Sequence, residues 1–131
     1  MNVYTIGKDI DKEWDWVQPL LEEVFEDHPS GYRPLNVIED IRGGNTLVLV
    51  IEDGDSKVIG LLTQLPDALH VSAAVGQGLD TWGGVAEQVL THIARQMQVS
   101  RITSVARKGW AKLQTEHNGW TEHGVYISRL V

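Results

Sequence analysis

The stretch Thr81-Trp82-Gly83-Gly84-Val85-Ala86 has the residue types and spacing best suited to hold a ligand in this 131-residue sequence. Glycines at 76, 78, 83 and 84 make a loop that opens a long segment of helical periodicity. The first turn of a helix leaves backbone N–H groups unpaired, and the helix dipole adds partial positive charge there. Small residues let an anion approach those donors, and a pyrophosphate is a natural occupant. Gly83, Gly84, Val85 and Ala86 would offer the N–H groups and Thr81 a hydroxyl. Trp82 would either block the pocket or stack on the ligand. The plainer alternative is a glycine-rich turn that only starts a helix.

Other chemistry has less to stand on. His28, His92, His117 and His123 show no metal-ligand spacing. The absence of cysteine excludes a disulfide scaffold, a thiolate metal site and a cysteine nucleophile together. Neither a Gly-x-Ser-x-Gly elbow nor a Gly-x4-Gly-Lys-Ser/Thr phosphate loop occurs. Glu22, Glu23, Glu26 and Asp27 would attract a cationic amine, or form the wet face of a helix. Eighteen acidic residues against eleven basic ones give a formal charge of -7. Arg101, Arg107, Lys108 and Lys112 are a modest basic cluster, not the stripe that phosphate contacts demand, so no nucleic-acid partner is expected. No apolar run approaches the roughly 20 residues of a membrane-spanning helix. The start, Met1 to Ile6, lacks the regions of a signal peptide. A cytoplasmic protein without membrane partners is expected.

The elements that must position the glycine stretch are legible in the periodicity. Val3 to Ile6 reads as a short strand. Asp9 or Asp11 is a candidate cap for a helix in which Trp14, Val17, Leu21, Val24 and Phe25 recur at spacings of three and four. Pro19 implies a kink or a late start in that helix, and Asp27 to Gly31 ends it. Pro34 opens a shorter helix with Leu35, Ile38 and Ile41 on one face, closed by Gly43-Gly44. Thr46 to Ile51, Lys57 to Leu65 and Ala68 to Val75 are strands. Asp53-Gly54-Asp55-Ser56 and Pro66-Asp67 turn between them, giving an antiparallel meander. A long helix follows from about Gly84 to Met97, with Val85, Val89, Ile93 and Met97 every fourth residue and Ala86 and Leu90 beside them. Arg101 to Val105 is a strand, Arg107 to His117 a helix, and Trp120 to Val131 contains a last strand. The order is β-α-α-β-β-β-α-β-α-β. Nothing divides the chain, so residues 1–131 are expected to form one α/β domain with a mixed sheet.

That order resembles the GCN5-related N-acetyltransferase (GNAT) fold over essentially the whole chain. The family's signature at the loop is Arg or Gln, two residues, Gly, one residue, then Gly or Ala. Gly84 and Ala86 match its second half, while Thr81 stands where Arg or Gln is usual. Asn118-Gly119-Trp120 and the strand after it resemble the family's closing turn. The resemblance implies that the anion is the pyrophosphate of acetyl-coenzyme A, bound by Thr81, Trp82, Gly83, Gly84, Val85 and Ala86. Losing the arginine removes one of the stronger polar contacts, so weakened affinity follows.

The resemblance also says where catalytic groups would lie. An oxyanion contact would come from a backbone N–H of about Ala73 to Val75. The base would come from the same strand, which carries no carboxylate. His70 is its titratable group and the candidate base, and Ser72 shares its face by strand alternation. The alternative is a partly exposed histidine on an amphipathic strand. The family's tyrosine acid falls on Thr115, whose hydroxyl is a poor acid beside a phenol of pKa about 10.

Two functions are compatible with these residues. One is a GNAT-fold protein with a degenerate acyl-coenzyme A site, acting as a non-catalytic binding or structural component with other proteins as partners. The other is an acetyl-coenzyme A-dependent N-acetyltransferase for a small amine or a protein amine. Thr81, the strand without a carboxylate and Thr115 favour the first. The segment from Arg107 to Val125 resembles small acetyltransferase-like proteins of tailed bacteriophages, which implies host cytoplasm or virion as location and particle assembly as context. Trp16, Trp82 and Trp110 lie off the core stripes, the placement of interface anchors. No cofactor is required under the first reading, and acetyl-coenzyme A serves both.

Overall fold

The computed structural model of the chain describes residues 2–25, 34–76, 83–105, 121–123 and 126–131. Strand β1 (Asn2–Ile6) leads through a single 3-10 turn, Ile10–Lys12, into helix α1 (Trp14–Phe25). Helix α2 is Pro34–Arg42, followed by β2 (Thr46–Asp53), β3 (Ser56–Gln64) and β4 (Ala68–Gly76). Helix α3 (Gly83–Gln96) precedes β5 (Arg101–Val105), β6 (Thr121–His123) and β7 (Tyr126–Leu130). Among the described residues these strands form a seven-stranded sheet in the order β1-β2-β3-β4-β5-β7-β6. The sheet is mixed: β4 and β5 are parallel, whereas β1 with β2, β5 with β7, and β6 with β7 are antiparallel.

The chain divides into two compact units. The first is Met1–Leu62 with Ala73–Leu79, and the second is Thr63–Ser72 with Asp80–Val131. Strands β3 and β4 therefore begin in one unit and end in the other.

In the first unit, Val17 and Leu21 of α1 and Val37, Ile38 and Ile41 of α2 form one buried cluster with Ile6, Ile10, Val48, Val50, Ile59 and Leu61. Period-two spacing places Val48 with Val50, and Ile59 with Leu61, on the helix-bearing face. Leu49, Ile51, Val58 and Leu62 alternate with them and are also buried, so β2 and β3 read as continuous apolar runs. Pro19 lies inside α1, which begins at Trp14, so the late start is not what occurs. Neither Asp9 nor Asp11 caps α1. Asp9 precedes the 3-10 turn and Asp11 lies inside it, and the amides of Trp16 and Val17 bond to the Glu13 carbonyl instead. Asp9 accepts from the Gly7 amide at 3.2 Å, and Asp11 pairs with Arg42.

The turns follow their residue chemistry. Gly44 (φ +84°) stands just past α2, where its amide bonds to Ile41 O and that of Asn45 bonds to Asp40 O. This is the left-handed closure that glycine adopts cheaply. Gly54 (φ +60°) and Asp55 link β2 to β3, and the Leu65 amide bonds to Ala68 O across Pro66-Asp67 at 2.8 Å.

In the second unit α3 packs against β5. Its deepest positions are Leu90 and Ala94, not the every-fourth-residue series, whose members Val85, Val89, Ile93 and Met97 are only partly buried. Four residues turn a helix by about 400°, so such a series drifts by about 40° per step and leaves the buried face. The last segment differs from the single strand expected. It holds two strands, β6 and β7, paired from Thr121↔Ser128 to His123↔Tyr126, with two residues between them. The expected helix at Arg107 to His117 and the Asn118-Gly119 turn lie outside the described residues.

Candidate functional site

The second unit contains α3, β5 and the first five residues of β4, and with them most of the described candidate residues. Helix α3 begins at Gly83, one residue before the position expected from the sequence. Gly84 is exposed, and among the described residues a Cβ built on it meets no atom within 4 Å outside its chain neighbours and its own helix backbone. The first turn of this 14-residue helix is therefore open at Gly84, beside backbone N–H groups that have no intrahelical acceptor. Val85 and Ala86 follow, both partly buried. The first turn carries no acidic side chain, so nothing in it repels an anion. Thr81, Trp82 and Thr115 lie outside the described residues.

The parallel ladder of β4 and β5 runs from Ala68↔Arg101 through Leu69↔Ile102 and His70↔Thr103 to Val71↔Ser104. Leu69 and Ile102 are fully buried, and His70 with Thr103 occupies the opposite face by alternation. His70 Nδ1 lies 2.7 Å from Thr103 Oγ1. At the last pair, Ser104 Oγ donates to the Val71 carbonyl at 2.9 Å. Both β5 hydroxyls are thus tied to β4. Burial holds the His70 pKa below its ordinary value, because removing water disfavours the charged ring. Burial therefore favours the neutral form of the imidazole. Ser72 is partly buried and has a partner of its own. The bond of His70 is thus to Thr103, its neighbour across the parallel ladder. Ala73 to Val75 belong to the first unit.

Thr103 and Ser104 were not foreseen as site residues. Their signal was present: two polar residues in the short strand Arg101-Ile-Thr-Ser-Val105, between Ile102 and Val105. The register that sets Thr103 opposite His70 joins residues 33 positions apart, and no local pattern fixes it. Among the described residues no group of three or more His, Cys, Asp or Glu could hold a metal, and no helix is long and apolar enough to cross a membrane.

The sequence matches no protein-family profile and no curated protein. The fold, in contrast, has many solved counterparts. A GNAT-family acetyltransferase from Listeria monocytogenes matches with a TM-score of 0.65 at 10% identity, over 99% of this chain and 94% of that one. Tetrahymena GCN5 matches with a TM-score of 0.62 at 10% identity, over 100% of this chain and 96% of that one. The paia N-acetyltransferase from Thermoplasma acidophilum, solved in complex with coenzyme A, matches with a TM-score of 0.57 at 9% identity over the whole of both chains. The alternation of elements, the parallel β4–β5 pair and these end-to-end matches agree: the chain has the GNAT fold.

Proposed function

We propose that this protein binds an acyl-coenzyme A-type ligand through the first turn of α3 and acts as a binding component rather than as an efficient acetyltransferase. The observation that carries the reading is the open approach at Gly84. A pyrophosphate there would meet the amides of Gly83, Gly84, Val85 and Ala86 and the positive end of the helix dipole. One structure of the same fold holds coenzyme A, and this supports the ligand class. Three features support the absence of efficient transfer. Thr81 replaces the signature Arg or Gln, β4 carries no carboxylate, and Thr115 stands where the resemblance places a tyrosine. Protein partners, including those of a bacteriophage particle, are the natural recipients of such a module, since a fold does not fix an activity.

Calorimetric titration with acetyl-coenzyme A and with coenzyme A tests the reading. Saturable heat that Gly84→Trp abolishes, without acetylation of a panel of amines, is the expected result. Rapid turnover would favour the alternative, an acetyl-coenzyme A-dependent N-acetyltransferase acting on a small amine or a protein amine. Absence of binding would remove the ligand assignment.

A further inference from the structure

The two ends of the sheet are unlike. At one end stands β6, three residues long. At the other stands β1, five residues and of ordinary strand length. Its pairing with β2 is unbroken from Asn2↔Glu52 to Ile6↔Val48, so no bulge bends it away. The middle of β2 is buried on both faces, whereas Asn2, Val3, Tyr4 and Thr5 are all exposed. Val3 (44% exposed) and Tyr4 (37%) lie on opposite faces of the sheet by alternation, so water reaches β1 from both sides.

A strand edge presents a row of N–H and C=O groups, and a second strand is their complement. Proteins guard such edges with lysine, proline, a bulge or a very short strand. β6 is guarded by its length. Residues 1–7 carry no charged side chain and no proline, and among the described residues β1 has none of these devices.

We infer that β1 is the contact surface for a second copy of this chain, which adds its own β1 antiparallel about a two-fold axis at Tyr4. In that register Tyr4 meets the partner's Tyr4, Val3 the partner's Thr5, and Asn2 the partner's Ile6. Aromatic and β-branched residues pair favourably across strands, and like charges placed opposite each other do not. The formal charge of -7 opposes self-association, but an uncharged strand sets no like charges in direct opposition. Pairing β1 with β1 uses each edge once and closes at two copies. A second copy carries the same open, uncharged edge, so each satisfies the other. That symmetry favours it over a strand of another protein. Five residue pairs make a small interface, so the association depends on concentration.

The test is sedimentation of the full chain from micromolar to millimolar concentration, with hydrogen exchange read by mass spectrometry. The mass should rise from 14.6 kDa toward twice that value, and exchange across β1 should slow as it rises. Val3→Lys places a charge on the edge and should move the midpoint to a concentration higher by about tenfold or more. Leu65→Lys, at a site of similar exposure outside β1, should leave the midpoint unchanged. A chain that stays monomeric overturns the assignment and leaves the edge to a strand of another protein. So does a dimer that Val3→Lys leaves intact, or one in which exchange across β1 is unaltered. Should Val3→Lys fail to fold, the wild-type mass and exchange decide alone. The pairing involves neither α3 nor its first turn, so its failure and a failure to bind acetyl-coenzyme A are separate results.

Discussion

The two units of the molecule bury different things. Around α1 and α2 the buried cluster is aliphatic, and among the described residues of this unit Thr46 is the one buried polar residue. There Asp11 pairs with Arg42, and Lys57 Nζ sits 4.1 Å over the Trp16 ring and 3.9 Å from Glu52. Around α3, β5 buries the side chains of Thr103 and Ser104, and each hydroxyl bonds to β4. An aliphatic cluster is stabilised by area removed from water and is indifferent to direction. A buried hydroxyl costs free energy unless its partner is correctly placed, so it specifies orientation. The first unit is built to be stable, and the second is built to hold a ring and a strand end in one geometry.

The comparison breaks most easily at its apolar end. Leu21 is fully buried in the cluster, and Leu21→Ala should cost about 2–5 kcal/mol by denaturant unfolding. A loss below about 1 kcal/mol would mean that the cluster collapses around the gap and is not closely packed. Thr103→Val probes the other side. It keeps the shape but strips the half-buried His70 of its partner, at a cost of about 1–2 kcal/mol. Combining it with His70→Leu should recover much of that loss, because neither polar atom then remains. A double-mutant cycle without a coupling energy of about 1 kcal/mol would refute a directional pair.

A smaller contrast concerns how the two units end their helices. After α2, Gly44 takes the left-handed position. After α3 the same pair of bonds recurs, from the Gln98 amide to Arg95 O and from the Val99 amide to Ala94 O, but the residue at positive φ (59°) is Gln98. A side chain in that conformation is strained. Gln98→Gly should therefore raise stability by about 0.5–1 kcal/mol, the relief of strain being partly offset by the added freedom of the unfolded chain. An unfolding midpoint that falls instead would show Gln98 held by contacts of its own.

His70 adds a dependence on pH. Its folded pKa lies below the unfolded value of about 6.5 because the buried ring resists charging. The unfolded chain then binds more protons between the two values, so stability is fully present above about pH 6.5 and is lost as pH falls through the folded pKa. Wild type should show this slope in unfolding free energy measured from pH 7 downward, and His70→Gln should lack it.

Much of this was legible in the sequence, and for physical reasons. Hydrophobic period gave α1, α2 and α3, and β-branched runs between turn residues gave β2 to β5, because both signals are local. Gly44 and Gly54 announced their turns, since few other residues accept positive φ. The split of the last segment into β6 and β7 was missed, although Gly124 interrupts it. The glycine-bearing start of α3 was readable as a motif. The environment of His70 was not, because its partner is 33 positions away and only the sheet register brings them together. Gln98 was invisible for the opposite reason: nothing in its type marks a left-handed residue.

The smallest expected effect tests the claim that polar contacts in the first unit contribute little. Arg42 donates to both carboxylate oxygens of Asp11, an arrangement of the stronger kind in a desolvated setting. Here the side chains are 49% and 57% exposed. Water competes for every donor, and dissolved ions screen the charges at physiological salt. The pair lowers the Asp11 pKa through its hydrogen bond to Arg42, but at a fully hydrated carboxylate this shift reflects little stability. Arg42 also stands in the last turn of α2, where a cation suits the helix dipole. Arg42→Gln should leave the unfolding midpoint within error of wild type at physiological salt and show a deficit only at low ionic strength. A loss matching that of Thr103→Val, and indifferent to salt, would mean that the pair clamps the 3-10 turn onto α2, and the contrast between the units would fail.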